Sequence, residues 1–193
     1  SDREGDLAIF WQRADGTAPA ERLTKPEKDA AHVPASWSPK DETLLFTVIP
    51  AKDPEASGTI WTYVRASGTA VPFGNVKEAA QDPVFSPDGR RVTYVNGNNL
   101  VSGLYVQPCP ATGAQYQLPR VVAEYSPTHP FWSPDGTMLF FAPAPGQFAA
   151  VTVTTQPTVA FGNATPVPRP FPGGSSNLPR AFDLMPDGRF IGR

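Results

Sequence analysis

One phrase recurs four times along this chain and sets what it can fold into. It reads Trp37-Ser38-Pro39-Lys40-Asp41, Phe85-Ser86-Pro87-Asp88-Gly89, Trp132-Ser133-Pro134-Asp135-Gly136 and Met185-Pro186-Asp187-Gly188. An apolar run of β-forming residues follows each copy: Leu44-Leu45-Phe46, Val92-Thr93-Tyr94, Met138-Leu139-Phe140-Phe141 and Phe190-Ile191. The motif prolines Pro39, Pro87, Pro134 and Pro186 are spaced by 48, 47 and 52 residues. A repeat of that length points to an array of small sheets, and the closest fit is a set of propeller blades. The expected fold is all-β: a β-propeller of four-stranded antiparallel blades, three of them whole and one split between the two ends of the chain.

The grammar inside each repeat supports this. A short strand enters Ser-Pro-Asp-Gly, where Pro presets the second position of a type I-like turn and Gly closes it. A more apolar strand follows, then a polar loop and a third strand rich in aromatic and β-branched residues, as in Thr59-Ile60-Trp61-Thr62-Tyr63-Val64. A Gly-containing turn leads to an outer strand such as Ala70-Val71-Pro72-Phe73. Four strands in roughly 45 residues make one blade. With 24 Pro and 16 Gly in 193 residues, the composition reads as turn chemistry. No segment carries helical periodicity with caps.

The repeats divide the chain into blades at 29–74, 78–119 and 125–165, with a Pro/Gly linker at 166–177. Residues 1–24 lack the motif and read as the third and fourth strands of a blade. Residues 178–193 read as the first and second strands of one. Joined, the two halves make a complete blade and leave no exposed strand edge. Two closures satisfy this: a single four-blade ring, or a homodimer in which two chains exchange half-blades and close an eight-blade ring. The chain begins at Ser1 and carries no recognisable signal peptide, so it reads as cut from something longer.

The phrases quoted above resemble the TolB-like, WD-related β-propeller repeats of bacterial proteins, over almost the whole chain. Ser1-Asp2-Arg3-Glu4-Gly5 is similar to the loop after the second strand of such blades. Ile9-Phe10-Trp11 with Ala14-Asp15-Gly16 resembles their third strand and turn. Arg180-Ala181-Phe182-Asp183 before Met185-Pro186-Asp187-Gly188 resembles the closing blade of propellers at the C-terminus of bacterial Ser/Thr kinase-type sensors. The resemblance implies a ligand- or protein-binding module of a bacterial envelope or signalling protein, and an extracytoplasmic or periplasmic location. Neither the kinase motifs nor a Gly-x-Ser-x-Gly elbow is present in the sequence.

Composition excludes other classes. The formal net charge of −2 gives no basic field for nucleic acid. No apolar stretch approaches the ~20 residues that span a bilayer. The single cysteine, Cys109, has no partner for a disulfide or a thiolate metal site.

Candidate site residues come from the loops before each inner strand, which should surround the channel mouth. Counting back from the motif prolines gives His32 and Val33, Gln81 and Asp82, Thr128 and His129, and Arg180. Both histidines of the chain fall in this class. A converging His32, Asp82 and His129 is a candidate set for a divalent metal ion, and otherwise a metal-free polar pocket for a protein, peptide or small-molecule ligand. Arg180 is suited to an anionic group. If the module is instead an enzyme, the same residues suggest ester or phosphotriester hydrolysis, with His129 or His32 as general base. The Asp residues of the repeated turns read as structural, accepting local backbone hydrogen bonds.

Overall fold

The computed structural model describes residues 1–40, 42–53, 56–76, 79–97, 102–122, 124–168, 182–185, 187 and 189–192. All regular structure among them is β, and every ladder within the sheets is antiparallel. A two-stranded sheet comes first, β1 (Phe10–Trp11) with β2 (Glu21–Arg22). A four-stranded sheet follows in the order β3 (Ala30–Trp37), β4 (Thr43–Pro50), β5 (Thr59–Val64), β6 (Thr69–Pro72). The next is β7 (Ala80–Phe85), β8 (Arg91–Asn96), β9 (Gly103–Pro108), β10 (Tyr116–Gln117). The third runs β11 (Thr128–Trp132), β12 (Met138–Ala142), β13 (Ala149–Thr154) and an outer edge made of β14 (Ala160–Phe161) and β15 (Thr165–Pro166). Both outer pieces pair with β13, so they are one outer strand interrupted at 162–164. A last hairpin joins β16 (Phe182–Leu184) to β17 (Phe190–Gly192).

The second and third copies of the repeated phrase build the same turn. Ser86 Oγ accepts from the Arg91 N–H (3.0 Å) and donates to Asp88 Oδ1 (2.6 Å), which also accepts from the Arg90 N–H (3.0 Å). In the third sheet Ser133 Oγ accepts from Met138 N–H (2.9 Å) and donates to Asp135 Oδ1 (2.5 Å). Burial would raise the Asp88 carboxyl, but the hydrogen bonds from Ser86 and Arg90 and the charge of Arg91 outweigh it and hold it low. Bonds from Ser133 and Thr137 lower Asp135 in the same way. The first copy, with Lys40-Asp41-Glu42, keeps the serine half of the device: the Glu42 and Thr43 N–H groups donate to Ser38 Oγ at 3.2 and 3.1 Å. Gly89 and Gly136 close their turns at φ 69° and 72°. A Cβ on Gly89 would lie 3.1 Å from Pro39 of the preceding repeat, so the turns nest one behind the next.

β4 and β8 are buried through their middles without alternation because both faces of their sheets are covered, whereas burial alternates along β12. Three clusters form the core, each shared by two neighbouring sheets. Ile9 and Leu23 pack on Leu44, Phe46 and Tyr63. Leu45, Ile60 and Phe73 pack on Phe85, Val92 and Tyr94. Val95, Leu104, Val106 and Leu118 pack on Trp132, Leu139, Phe141 and Val151. Face-to-face stacking of successive small sheets is propeller packing.

Backbone pairs lock the junctions. Gly58 and Ala80 exchange N–H···O bonds of 3.0 and 2.8 Å between the first and second four-stranded sheets. A Cβ at Gly58 would meet the Val48 carbonyl oxygen at 2.0 Å, so this approach requires glycine. Leu7 forms a parallel bridge with Ala31, and with the His32 N–H donating to the Leu7 carbonyl at 2.9 Å this docks the β1–β2 pair beside the first four-stranded sheet. The two hairpins expected to form one blade stand as separate sheets: no ladder joins β16–β17 to β1–β2 among the described residues.

Candidate site at the junction of the second and third blades

Asp82 and His129 occupy equivalent places, five residues before Pro87 and Pro134. Each is followed by a proline, Pro83 and Pro130, which has no N–H to give to the ladder. Both strands therefore slip register there. In β7 the pairing passes from Gln81↔Val95 to Val84↔Thr93, and in β11 from Thr128↔Ala142 to Phe131↔Phe140. The bulges drive Asp82 and His129 into the left-handed region, each at φ 53°. That conformation costs an L-residue about 1–2 kcal/mol. Two strained non-glycine residues at matching bulges are a device that points to a site.

The bulges aim the two side chains at each other across the junction. The main-chain N–H of His129 donates to Asp82 Oδ2 at 3.0 Å. His129 Nδ1 lies 3.1 Å from the same oxygen but out of line for a hydrogen bond. His129 is 9% exposed, walled by its own sheet, and the Asp82 side chain is 27% exposed, so the carboxylate is the group that meets solvent. One carboxylate oxygen thus holds the junction, and no described residue bonds to the other.

His32 does not join this pair. It lies seven residues before Pro39, whereas the position equivalent to Asp82 is Pro34. It sits in regular ladder opposite Val48, with its N–H donating to the Leu7 carbonyl at 2.9 Å. Its ring packs on Phe46 with centroids 5.0 Å apart. Its charged neighbours are Asp6 and Arg22, not Asp82. Burial lowers its pKa, an effect that Asp6 opposes and Arg22 adds to. The expected convergence of His32, Asp82 and His129 is therefore corrected to a pair. Arg180 lies outside the described residues. Among the described residues no group of three His, Cys, Asp or Glu side chains is placed to hold a metal ion.

Sequence reasoning missed the cluster around Arg22. Its guanidinium bonds Glu4 Oε2 at 2.8 Å, Asp6 Oδ2, and the Thr24 carbonyl at 2.9 Å. The cluster forms because β1–β2 docks beside β3, and no local pattern announces it. Cys109 packs beside the second core cluster, and burial raises its thiol pKa.

Neither a protein-family model nor a curated protein matches the chain. Solved structures do. A protein described as a TolB of Agrobacterium tumefaciens superposes with a TM-score of 0.69 at 17% identity, over 98% of this chain and 65% of that one. The fold is a TolB-like β-propeller. TolB of Acinetobacter baumannii matches at TM-score 0.50 and 20% identity, over 78% of this chain and 35% of that one. An oligogalacturonate lyase in complex with manganese matches at 0.55 and 14%, over 83% and 51%. The propeller described here spans less than two thirds of the length of each of these proteins. Likeness at these identities carries the fold and leaves activity to the site itself.

Proposed function

We propose that this propeller is a binding module, a sensor or scaffold part of a bacterial envelope or signalling protein, whose ligand meets the Asp82–His129 junction. The observation that carries the reading is the pair of strained bulges that hold a part-exposed carboxylate against a buried histidine between two blades. With Oδ2 committed to the His129 N–H, the remaining oxygen of Asp82 suits a hydrogen-bond donor: an ammonium, guanidinium or amide of a peptide, protein or small molecule. An extracytoplasmic location and the kinase-sensor relationship belong to this proposal and rest on the sequence resemblance.

A divalent metal does not fit the described residues. Asp82 and His129 supply two donors, Oδ2 is already an acceptor within the junction, and His32 belongs to another cluster. The manganese of the oligogalacturonate lyase complex is a feature of that protein.

The alternative reading, a small hydrolase, draws on the His129 imidazole as general base beside the Asp82 carboxylate, 3.1 Å from Nδ1. The two readings separate in one experiment. Peptides selected from a random display library on the immobilised chain should bind the wild type and lose at least tenfold in affinity on Asp82→Asn. Saturable ester or phosphotriester turnover abolished by His129→Ala would replace the binding reading with the hydrolase.

A further inference from the structure

We infer that the group received by Asp82 is a cation, the guanidinium or ammonium of a basic side chain on a peptide or protein ligand. The inference rests on the binding reading of the Asp82–His129 junction and narrows it from any hydrogen-bond donor to a charged one.

The first strands of the three full blades are β3, β7 and β11, and β7 packs against both of the others, as strands around a central channel do. Together these strands contain no lysine, no arginine and one carboxylate, that of Asp82. Elsewhere Asp6, Asp15, Asp88 and Asp187 pair with Arg22, Arg13, Arg91 and Arg189. Among the described residues Asp82 has no such partner. Its contacts are the His129 N–H at 3.0 Å and His129 Nδ1 at 3.1 Å. A part-buried carboxylate in a wall without positive charge is screened less than one in open water, and its field draws a cation.

His129 leaves that charge unanswered. The residue is 9% exposed, and its Nδ1 is sealed from solvent with no hydrogen-bond partner, although Asp82 Oδ2 stands beside it. The junction thus gives the carboxylate one neutral donor, the main-chain N–H, and no countercharge. A neutral donor on the ligand would repeat that bond. A cation supplies the bond and the countercharge together, and such charge-assisted bonds are roughly twice as strong as neutral ones. On the other side of β7, the place that matches Asp82 in β3 is Pro34, and Pro34 and Ala35 are exposed. β3 and β7 are tied there by the Phe85 N–H, which donates to Ser36 Oγ at 3.3 Å. The methylene stem of a lysine or arginine packs on an apolar surface of this kind while its head reaches a charge.

The test uses the full chain and peptides selected on it from a random display library. In a selected peptide each arginine is replaced in turn by citrulline, and each lysine by acetyl-lysine. Both replacements remove the charge and keep an N–H donor. One of them should lower affinity for the wild type at least tenfold. The same replacement should leave affinity for Asp82→Asn nearly unchanged, because the charge that it answered is absent there. Asp82→Asn keeps an acceptor oxygen and tolerates the left-handed conformation, and its urea midpoint checks that it is folded. A loss that is equal in the two proteins places the basic group elsewhere and overturns the inference. Neutral peptides that bind the wild type as tightly as their parents, while Asp82→Asn still costs tenfold, overturn the inference and leave the binding reading standing. Peptides indifferent to Asp82→Asn overturn both.

Discussion

Asp82 offers a graded test of the junction, because its two roles can be separated by substitution. Its carboxylate accepts the N–H of His129 from the neighbouring sheet, and its backbone holds φ 53°. Asp82→Ala removes the acceptor from a largely buried N–H, at about 1–3 kcal/mol. It also places alanine in the left-handed region, which adds about 1–2 kcal/mol of strain that aspartate and asparagine bear more easily. Asp82→Gly loses the acceptor but releases the strain. Asp82→Asn keeps an acceptor oxygen and tolerates the conformation, so it should cost less than about 1 kcal/mol. The expected order of loss in urea-unfolding midpoint, at fixed protein concentration and unchanged slope, is Ala, then Gly, then Asn. Glycine destabilising as much as alanine would show that the left-handed backbone stores no strain. Asparagine as damaging as alanine would show that the Asp82–His129 bond does not hold the junction.

Three further outcomes follow from the geometry. Gly58→Ala forces a Cβ to within 2.0 Å of the Val48 carbonyl, so it should cost more than about 3 kcal/mol, read as the loss of the cooperative thermal transition or a large drop in its midpoint. Asp135→Ala removes the acceptor for Ser133 and Thr137 in the turn and should cost about 1 kcal/mol; no change in urea midpoint would refute the structural role of the motif aspartate. His32 has its folded pKa lowered below 6.5, chiefly by burial. The unfolded chain therefore binds that proton more readily, and stability falls as pH drops through about 6.5. Denaturation midpoints at pH 7.5 and 5.5 should differ less in His32→Phe than in the wild type, and an equal difference would count against the burial.

The architecture was legible because it is written in repeats. Ser-Pro-Asp-Gly marks a turn whose serine and aspartate side chains bond within the turn, as Ser86 and Asp88 do, and such a turn reads the same in sequence as in structure. The continuous apolar runs announced strands buried on both faces, as at Leu44-Leu45-Phe46. The site was legible only in part. Asp82-Pro83 and His129-Pro130 share a place in the repeat, and the missing proline N–H that makes the bulge is visible in the sequence. His32 seemed to belong with them because the loops were grouped by position before the strand, without counting the ladder. A shift of two residues moves a side chain from a bulge into regular pairing, and only the register reveals it. The Glu4–Asp6–Arg22 cluster was silent, since it exists only once β1–β2 docks beside β3.

The proposed role of the Asp82–His129 junction is to receive a ligand's hydrogen-bond donor. Calorimetric titration of a selected peptide into the wild type and Asp82→Asn reads that role out. In the asparagine variant the acceptor oxygen stays with the His129 N–H and an amide donor takes the other position, so a donor on the ligand meets a donor. A hydrogen bond to a charged group is worth about 1.5–3 kcal/mol, which predicts a loss of at least tenfold in affinity with urea stability nearly unchanged. Equal affinity in the two proteins would place the ligand elsewhere on the propeller and contradict the claim.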